Sequence, residues 1–505
     1  MELVIKSEES LLKRVGRYLR EHNIESYLVG GIVRDILLGR ETADIDIGVG
    51  GDSLRIAAEI ARETGGTFVP LDEENNIGRV AVNDKDSSGS LYFDFSTVKE
   101  SIEHDLSERD FTVDALAVDI GRMDPESLCL NHLLPEMVKS PIIDVTGGLN
   151  DLHRGIIRAV GEDIFSKDAV RLLRAVRLMA ELDFTIAPET EALIKRDCGL
   201  IAGVSGERIR EELLRLFAAP DSGKLAVYLD ELGLLTVIIP ELAAARDVTQ
   251  PIEHHWKVLE HSLNTVTAVD YILHRGSCEF GSEAILAAVP WSETLASHFE
   301  SEVGFHSTRT TLLKVAALLH DIAKPQTKVP VEGGRVRFIG HDKEGADIAA
   351  AILERLRFST KEIRLVENAV KYHMRPTQLS QGELPSRRAI YRYFRDTGDA
   401  GIDILYLSLA DHLATRGPKL DISLWKEHTK EVEFVLSRYY QAAETIKPVR
   451  LIDGNDLITI FGLKPGPEIG ELLEMVQEAV AAGEINNRED ALNYIHNKLT
   501  RRTGK

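Results

Sequence analysis

Apolar positions recur at helical spacing near the start of the chain. Leu11, Leu12, Val15, Tyr18 and Leu19 within Ser7–Asn23 predict an amphipathic helix, with Glu8 and Glu9 near its positive end. The period then shortens. Tyr27–Val29 predicts a short strand, Gly30-Gly31 a turn, Ile32–Leu38 a short helix closed by Gly39, and Asp44–Val49 an alternating strand. Further strands are expected at Thr67–Val69, Arg79–Val82 and Leu91–Phe95. This mixed pattern ends near Gly147-Gly148 and marks residues 1–150 as a head of α+β class. From Leu152 to Leu235 the periodicity is almost entirely helical, giving a second region at 151–240. A break at Pro240–Pro251 opens a histidine-bearing helical region at 250–420, and Leu451–Leu499 predicts a small helical domain within 445–505.

Length and charge narrow the class. A chain of 505 residues exceeds a single core and accommodates several domains. A basic-then-apolar leader and a run of about 18 apolar residues are both absent, which points to a cytoplasmic protein rather than a secreted or membrane-spanning one. Cys129, Cys198 and Cys278 are far apart and form no CxxC pair, so they predict neither disulfides nor a zinc knuckle. The net charge of -21 repels a polyanion at long range, so contact with RNA requires a local basic surface. Such a surface is available between Arg154 and Ala180, where Arg154, Arg158, Lys167, Arg171, Arg174 and Arg177 outnumber Glu162, Asp163 and Asp168.

The chemistry becomes readable at Leu28-Val-Gly-Gly-Ile-Val-Arg-Asp-Ile-Leu-Leu-Gly39, followed by Asp44-Ile-Asp46-Ile. Two glycines at a strand end let backbone approach a ligand, and the N–H groups of the next helix suit phosphate oxygens. On the strand that follows, residues i and i+2 share a face, so Asp44 and Asp46 project together while Ile45 and Ile47 pack inward. Paired carboxylates hold Mg²⁺ ions that bridge triphosphate oxygens and activate a 3′-hydroxyl. Either piece alone is more often just a turn or a polar strand edge; the two in this order, with Arg34 between, point to phosphoryl transfer.

These motifs resemble the class II tRNA nucleotidyltransferase and poly(A) polymerase family, the CCA-adding type that carries an HD domain. The resemblance continues in His104-Asp-Leu-Ser-Glu-Arg-Asp-Phe-Thr-Val-Asp-Ala-Leu-Ala117, in Lys167-Asp-Ala-Val-Arg-Leu-Leu-Arg174 and in Gly206-Glu-Arg-Ile-Arg-Glu-Glu-Leu-Leu214. It implies a polymerase-beta-like nucleotidyltransferase head followed by all-helical RNA-binding, HD and C-terminal domains. It also implies addition of C and/or A nucleotides to the 3′ end of tRNA from CTP and ATP, with Asp44 and Asp46 as catalytic metal ligands. Gly30, Gly31 and Arg34 would hold the triphosphate, Arg109 and Asp110 the sugar. Asp168 and Arg171 would read the base from one face of a helix, and Arg174 would join the nucleotide site. Arg208 and Arg210 are weaker candidates for RNA phosphate contact. Three positions depart from the family pattern: Glu108 replaces a basic residue, Asp114 an Asn, and Lys167 a Glu. Asp94 reads as structural, and the segment between Leu71 and Tyr92 is where the choice among CCA, CC and A addition is expected to lie.

His320-Asp321 within Ala316-Ala-Leu-Leu-His-Asp-Ile-Ala-Lys324 has the form of an HD phosphohydrolase signature. His261, His320, Asp321 and Asp411 match that family's metal positions; His341 and His373 lie in the same region, while His254, His255, His306 and His412 read as ordinary packed or surface histidines. Mixed imidazole and carboxylate donors suit Mn²⁺, Ni²⁺ or another transition metal. The implied second activity is hydrolysis of phosphomonoesters or 2′,3′-cyclic phosphates. A poly(A) polymerase shares every motif; an HD phosphohydrolase with an inactive head and a non-catalytic RNA-binding protein are the alternatives of another class.

Overall fold

Short runs of aliphatic and aromatic residues separated by turn-formers pair into one sheet early in the chain. A computed structural model describes residues 2–40, 44–83, 90–125, 128, 141–331, 335–379, 384–445 and 451–503. The chain divides into two units, Met1–Val204 and Ser205–Lys505.

The first unit holds a seven-stranded sheet: β1 (Ser26–Val29), β2 (Asp44–Val49), β3 (Thr67–Asp72), β4 (Ile77–Asn83), β5 (Ser90–Thr97), β6 (Leu116–Asp119) and β7 (Ile143–Asp144), in the order β3-β4-β5-β2-β1-β6-β7. Only β2 and β5 run parallel among its pairs; the others are antiparallel. Ile45, Ile47, Phe93 and Phe95 are fully buried, and the alternation leaves Asp44, Asp46 and Asp94 on the opposite face. The register places Asp46 directly beside Asp94. Helices α1 (Glu2–Glu21), α2 (Gly31–Leu37), α3 (Ser53–Thr64) and α4 (Ile102–Ser107) accompany the sheet. Asp52 and Ser101 cap α3 and α4 by accepting from the Arg55 and His104 amides.

Strands β6 and β7 are absent from the periodicity, β6 because it is buried with no alternation and β7 because it is two residues long. Further along, the helix predicted through Asp168 is interrupted. One helix ends at Lys167, Asp168 is extended (φ -154°, ψ 103°), and the next helix begins at Arg171. The expectation that Asp168 and Arg171 lie on one helical face is thereby corrected. The Asp168 side chain accepts from the Val170 amide at 3.3 Å, an interaction that competes with helix continuation.

The second unit is mainly helical, with two short strand pairs, Glu302–Gly304 with Ser307–Thr308 and Lys328–Pro330 with Val336–Phe338. Val258–Ile272, Arg309–Leu319, His341–Arg355, Thr360–Tyr372 and Gly401–Arg416 build its principal bundle. Its core contains an ion pair: Lys314 Nζ lies 2.6 Å from Asp270 Oδ1, both side chains fully buried. Lys314 also donates to the Phe217 carbonyl, while Asp270 accepts from the Ser222 hydroxyl and the Gly223 amide. At the C-terminal end, Gly454–Phe461, Pro467–Ala481 and Arg488–Thr503 share a cluster that includes Leu457, Leu472, Val476 and Ile495. No helix among the described residues is long and apolar enough to cross a membrane.

Candidate functional site

In the head, Gly30 ends β1 and caps α2 with φ 78°, a conformation that favours glycine. A Cβ there would lie 2.4 Å from the Arg109 guanidinium and 3.7 Å from Asp46 Oδ2. The turn, Arg109 and Asp46 thus border one small space. Asp46 is half-buried and its carboxyl is pushed up to about 6. Burial is the main cause, Arg109 opposes it, and the neighbouring Asp94 and Asp44 add to it. Crowded carboxylates beside an open turn form an oxygen donor set suited to Mg²⁺, so the residues fit the expected ion. Asp94 is engaged by Arg79 through two hydrogen bonds of 2.7 and 2.8 Å.

This arrangement gives the metal-free head a pH dependence. Between 3.8 and about 6 the folded chain keeps a proton on Asp46 that the unfolded chain releases, so stability falls as pH rises through that window. Asp46→Asn is expected to remove this fall and to stabilise the metal-free protein by about 2–3 kcal/mol at neutral pH. Denaturant unfolding at several pH values with chelator present checks it.

The remaining head residues are held by side chains of their own. Arg34 is buried, donates twice to Asp35 at 2.9 and 3.1 Å, and pairs with Asp114 at 2.5 Å. Burial works against its charge; Asp114 and Asp35 overcome it and raise the guanidinium above its ordinary range. One departure from the family pattern, Asp114, therefore serves as the partner of Arg34. Arg109 donates to Asp105 at 3.3 Å from two nitrogens. Asp110 is buried and pairs with Arg174 at 3.0 Å. Arg171 reaches the carbonyls of Ile164 and Glu108, each at 3.4 Å. The other two departures meet: Lys167 Nζ lies 3.1 Å from Glu108. Basic and acidic residues have exchanged places, and the attraction is kept.

In the second unit, five helices bring a buried cluster together. His261 lies within Val258–Ile272, His320 and Asp321 follow Arg309–Leu319, His341 begins His341–Arg355, His373 follows Thr360–Tyr372, and Asp411 lies within Gly401–Arg416. His261 Nε2 is 3.2 Å from His320 Nε2 and 3.1 Å from Asp411, and both imidazoles face Asp321 at 3.5 and 3.2 Å. The neighbouring imidazoles hold the carboxyls of Asp321 and Asp411 well below the usual carboxylate range despite burial. His261, His320 and Asp321 can hold a metal ion, and so can Asp321, His341 and His373. The sequence groups His341 and His373 with the HD signature but leaves them out of the four matched metal positions; in the structure both face Asp321, at 3.6 and 4.0 Å. Lys324, 2.5 Å from Asp321 Oδ2, has a signal only in its i+3 spacing. Among the other histidines, His254 is partly buried and shifted down to about 4, mainly by burial.

Comparison with known proteins agrees with this layout. The family described as "Poly A polymerase head domain" matches residues 26–158, "Probable RNA and SrmB- binding site of polymerase A" 183–246, "HD domain" 258–416, and tRNA nucleotidyltransferase domain 2 343–495. An A-adding tRNA nucleotidyltransferase of Deinococcus radiodurans is 31% identical over 93% of this chain and 94% of its own length. A CC-adding tRNA nucleotidyltransferase of Thermus thermophilus is also 31% identical, over 93% of each chain. A CCA-adding enzyme of Lactobacillus johnsonii is 36% identical, but over 42% of this chain and 51% of its own. The solved complex of a CCA-adding enzyme with ATP superposes with a TM-score of 0.61 at 21% identity, covering 97% of this chain and 94% of that one, and so shares the fold. Fold and sites define a nucleotidyltransferase head joined to an HD-bearing helical body. The chain belongs to the tRNA nucleotidyltransferase family. Membership in that family implies dependence on divalent metal ions.

Proposed function

We propose that the protein adds C and/or A nucleotides to the 3′ end of tRNA from CTP and ATP, without a nucleic-acid template, in the cytoplasm. The observation that carries this is the meeting of Gly30, Arg109 and Asp46 in the head, with Asp44 two residues away on the same strand. Asp44 and Asp46 hold Mg²⁺, which when bound neutralises phosphate charge and favours loss of the 3′-hydroxyl proton. The amides at the start of α2 and the turn at Gly30 and Gly31 receive the triphosphate. Arg109 supplies positive charge beside Asp46, and Arg34 acts through its buried pairs by fixing α2. Asp110, oriented by Arg174, serves the sugar.

Asp168 and Arg171 read the base. A carboxylate accepts from the exocyclic amine of C or A, and a guanidinium donates to neighbouring ring acceptors. U and G offer the wrong pattern. Parent protein is expected to incorporate C or A and reject U and G; Asp168→Ala should narrow that discrimination by about tenfold or more. Four parallel reactions on tRNA, one per nucleoside triphosphate, measure it. Equal use of all four by the parent contradicts the proposal.

The exchanged pair makes a separate prediction. Glu108→Lys places two ammonium groups together and Lys167→Glu two carboxylates. Each single change should lower kcat/KM for addition several-fold, and the double exchange should recover most of it. Both side chains are substantially exposed, so the change in stability is expected to be small.

One observation favours a narrower product. Among the relatives by sequence described above, those matching end to end bear A-adding or CC-adding names, whereas the CCA-adding enzyme of Lactobacillus johnsonii matches over about half its length. This supports addition of either CC or A alone. For the helical body we propose a transition-metal centre, Mn²⁺, Ni²⁺ or a similar ion, held by His261, His320, Asp321 and Asp411 and acting on phosphate esters.

A further inference from the structure

A basic run stands apart from the head, in Arg387-Arg-Ala-Ile-Tyr-Arg-Tyr-Phe-Arg395. It falls on the helix Arg387–Thr397, where Arg388, Arg392 and Arg395, at i, i+4 and i+7, share one face. The opposite face carries Ile390 and Tyr393, both buried, and the Tyr393 hydroxyl donates to the Gly401 carbonyl. The apolar side thus anchors this helix in the bundle. A second helix, Pro467–Ala481, covers the arginine side; it carries Glu468, Glu471, Glu474 and Glu478 and no Lys or Arg. Arg388 lies 3.0 Å from Glu478 and 2.8 Å from Glu484, Arg392 lies 2.5 Å from Glu478, and Arg395 pairs with Glu474. Tyr391 donates to Gln477 at 3.3 Å.

The covering helices keep an apolar core of their own, whose members all lie between Leu451 and Leu499. The bonds just named tie that core to the arginine face by charge. The Arg388, Arg392 and Arg395 side chains remain 36%, 51% and 35% exposed, and ion pairs so placed are individually weak and further screened by salt. A guanidinium offers phosphate the same two-pronged geometry that it offers a carboxylate. Each Arg–Glu pair is therefore exchangeable for an Arg–phosphate pair, and a nucleic acid adds what glutamate lacks, the release of its condensed counterions. A chain of net charge -21 needs such local basic faces to hold a polyanion at all.

We infer that Arg388, Arg392 and Arg395 form a binding face for the sugar-phosphate backbone of RNA, that Glu474, Glu478 and Glu484 occupy it in the free protein, and that RNA displaces them. This rests on reading RNA as the substrate, and it assigns a further contact face in the second unit together with its cover. A polyanion held here alone must compete with three tethered carboxylates. A tRNA also held elsewhere on the chain brings its phosphates at high effective concentration and wins that competition.

The test uses the full chain and one tRNA transcript lacking CCA, with binding read by fluorescence anisotropy at fixed ionic strength. Glu474→Gln, Glu478→Gln and Glu484→Gln together break the same ion pairs as Arg388→Gln, Arg392→Gln and Arg395→Gln together. The glutamate variant is expected to bind tRNA about tenfold tighter and the arginine variant about tenfold weaker, the latter with a log–log salt dependence shallower by about three. A contact that only holds the helices together moves both variants the same way. Affinity unchanged or lowered in the glutamate variant overturns the cover, and affinity undiminished in the arginine variant overturns the RNA face. In the parent, carbodiimide labelling of Glu474, Glu478 and Glu484, read by mass spectrometry, should rise several-fold when tRNA is added; unchanged or reduced labelling overturns the displacement without any substitution. A parent that binds tRNA and unmasks these carboxylates but adds no nucleotide overturns the proposed function and supports this face; a parent that binds no tRNA overturns both.

Discussion

Replacing both Asp44 and Asp46 with Ala is expected to lower nucleotide incorporation by about 10³-fold or more, with tRNA affinity almost unchanged. The two carboxylates share one face of β2 above fully buried Ile45 and Ile47, so their removal takes away charge and leaves the strand packing intact. Metal-mediated stabilisation of a transferring phosphoryl group is worth several kcal/mol, and each ~1.4 kcal/mol is tenfold in rate. Metal-free Asp46 carries its charge at a cost, so the variant should melt no lower than the parent in chelator. Single-turnover incorporation, filter binding of tRNA and thermal unfolding measure the three quantities. Loss of activity with loss of melting temperature would instead indicate a damaged fold.

Asp270→Ala is expected to destabilise the helical unit by about 3–5 kcal/mol. The substitution leaves the fully buried Lys314 ammonium with the Phe217 and Ala219 carbonyls alone, and it strips the Ser222 hydroxyl and the Gly223 amide of their acceptor. An uncompensated buried charge is costly, while replacing both partners with apolar residues of similar size is often far milder. Asp270→Leu combined with Lys314→Met should therefore be more stable than Asp270→Ala. Chemical denaturation of the three proteins decides; equal losses in single and double variants contradict the account.

The chain's local patterns foretold the elements that carry the head chemistry. Strict alternation announces β2 with both its bounds, and the Gly-Gly turn announces the entry to α2. Strand β6 escapes because its Leu116-Ala-Val118 run is buried throughout and shows no alternation, and β7 because two residues are too few for a period to show. Asp168 was misplaced for a different reason: Ala169 and Val170 carry no breaker, and a side-chain bond to the Val170 amide ends the helix. Long-range pairing was the least legible part. Arg34 and Asp114 are 80 positions apart and Lys167 and Glu108 are 59, so each looked like an isolated oddity until the fold joined them. The segment from Leu71 to Tyr92 includes β4, and residues 84–89 within it lie outside the described residues. Arg210 donates to the Arg357 carbonyl, which ties a residue of the fifth motif to its own unit. Each histidine of the cluster was visible alone, but five separate helices had to converge before two pairs around one carboxylate could be recognised.

The most direct test of nucleotide addition maps the products on defined RNA ends. Transcripts of one tRNA ending before CCA or after CC, and an unrelated RNA of equal length, are each incubated with CTP, ATP or both in Mg²⁺. The account predicts metal-dependent extension of tRNA that stops within the CCA sequence, with CC or A alone as the product. Unlimited A tails on every RNA, or no extension of any of them, would contradict it.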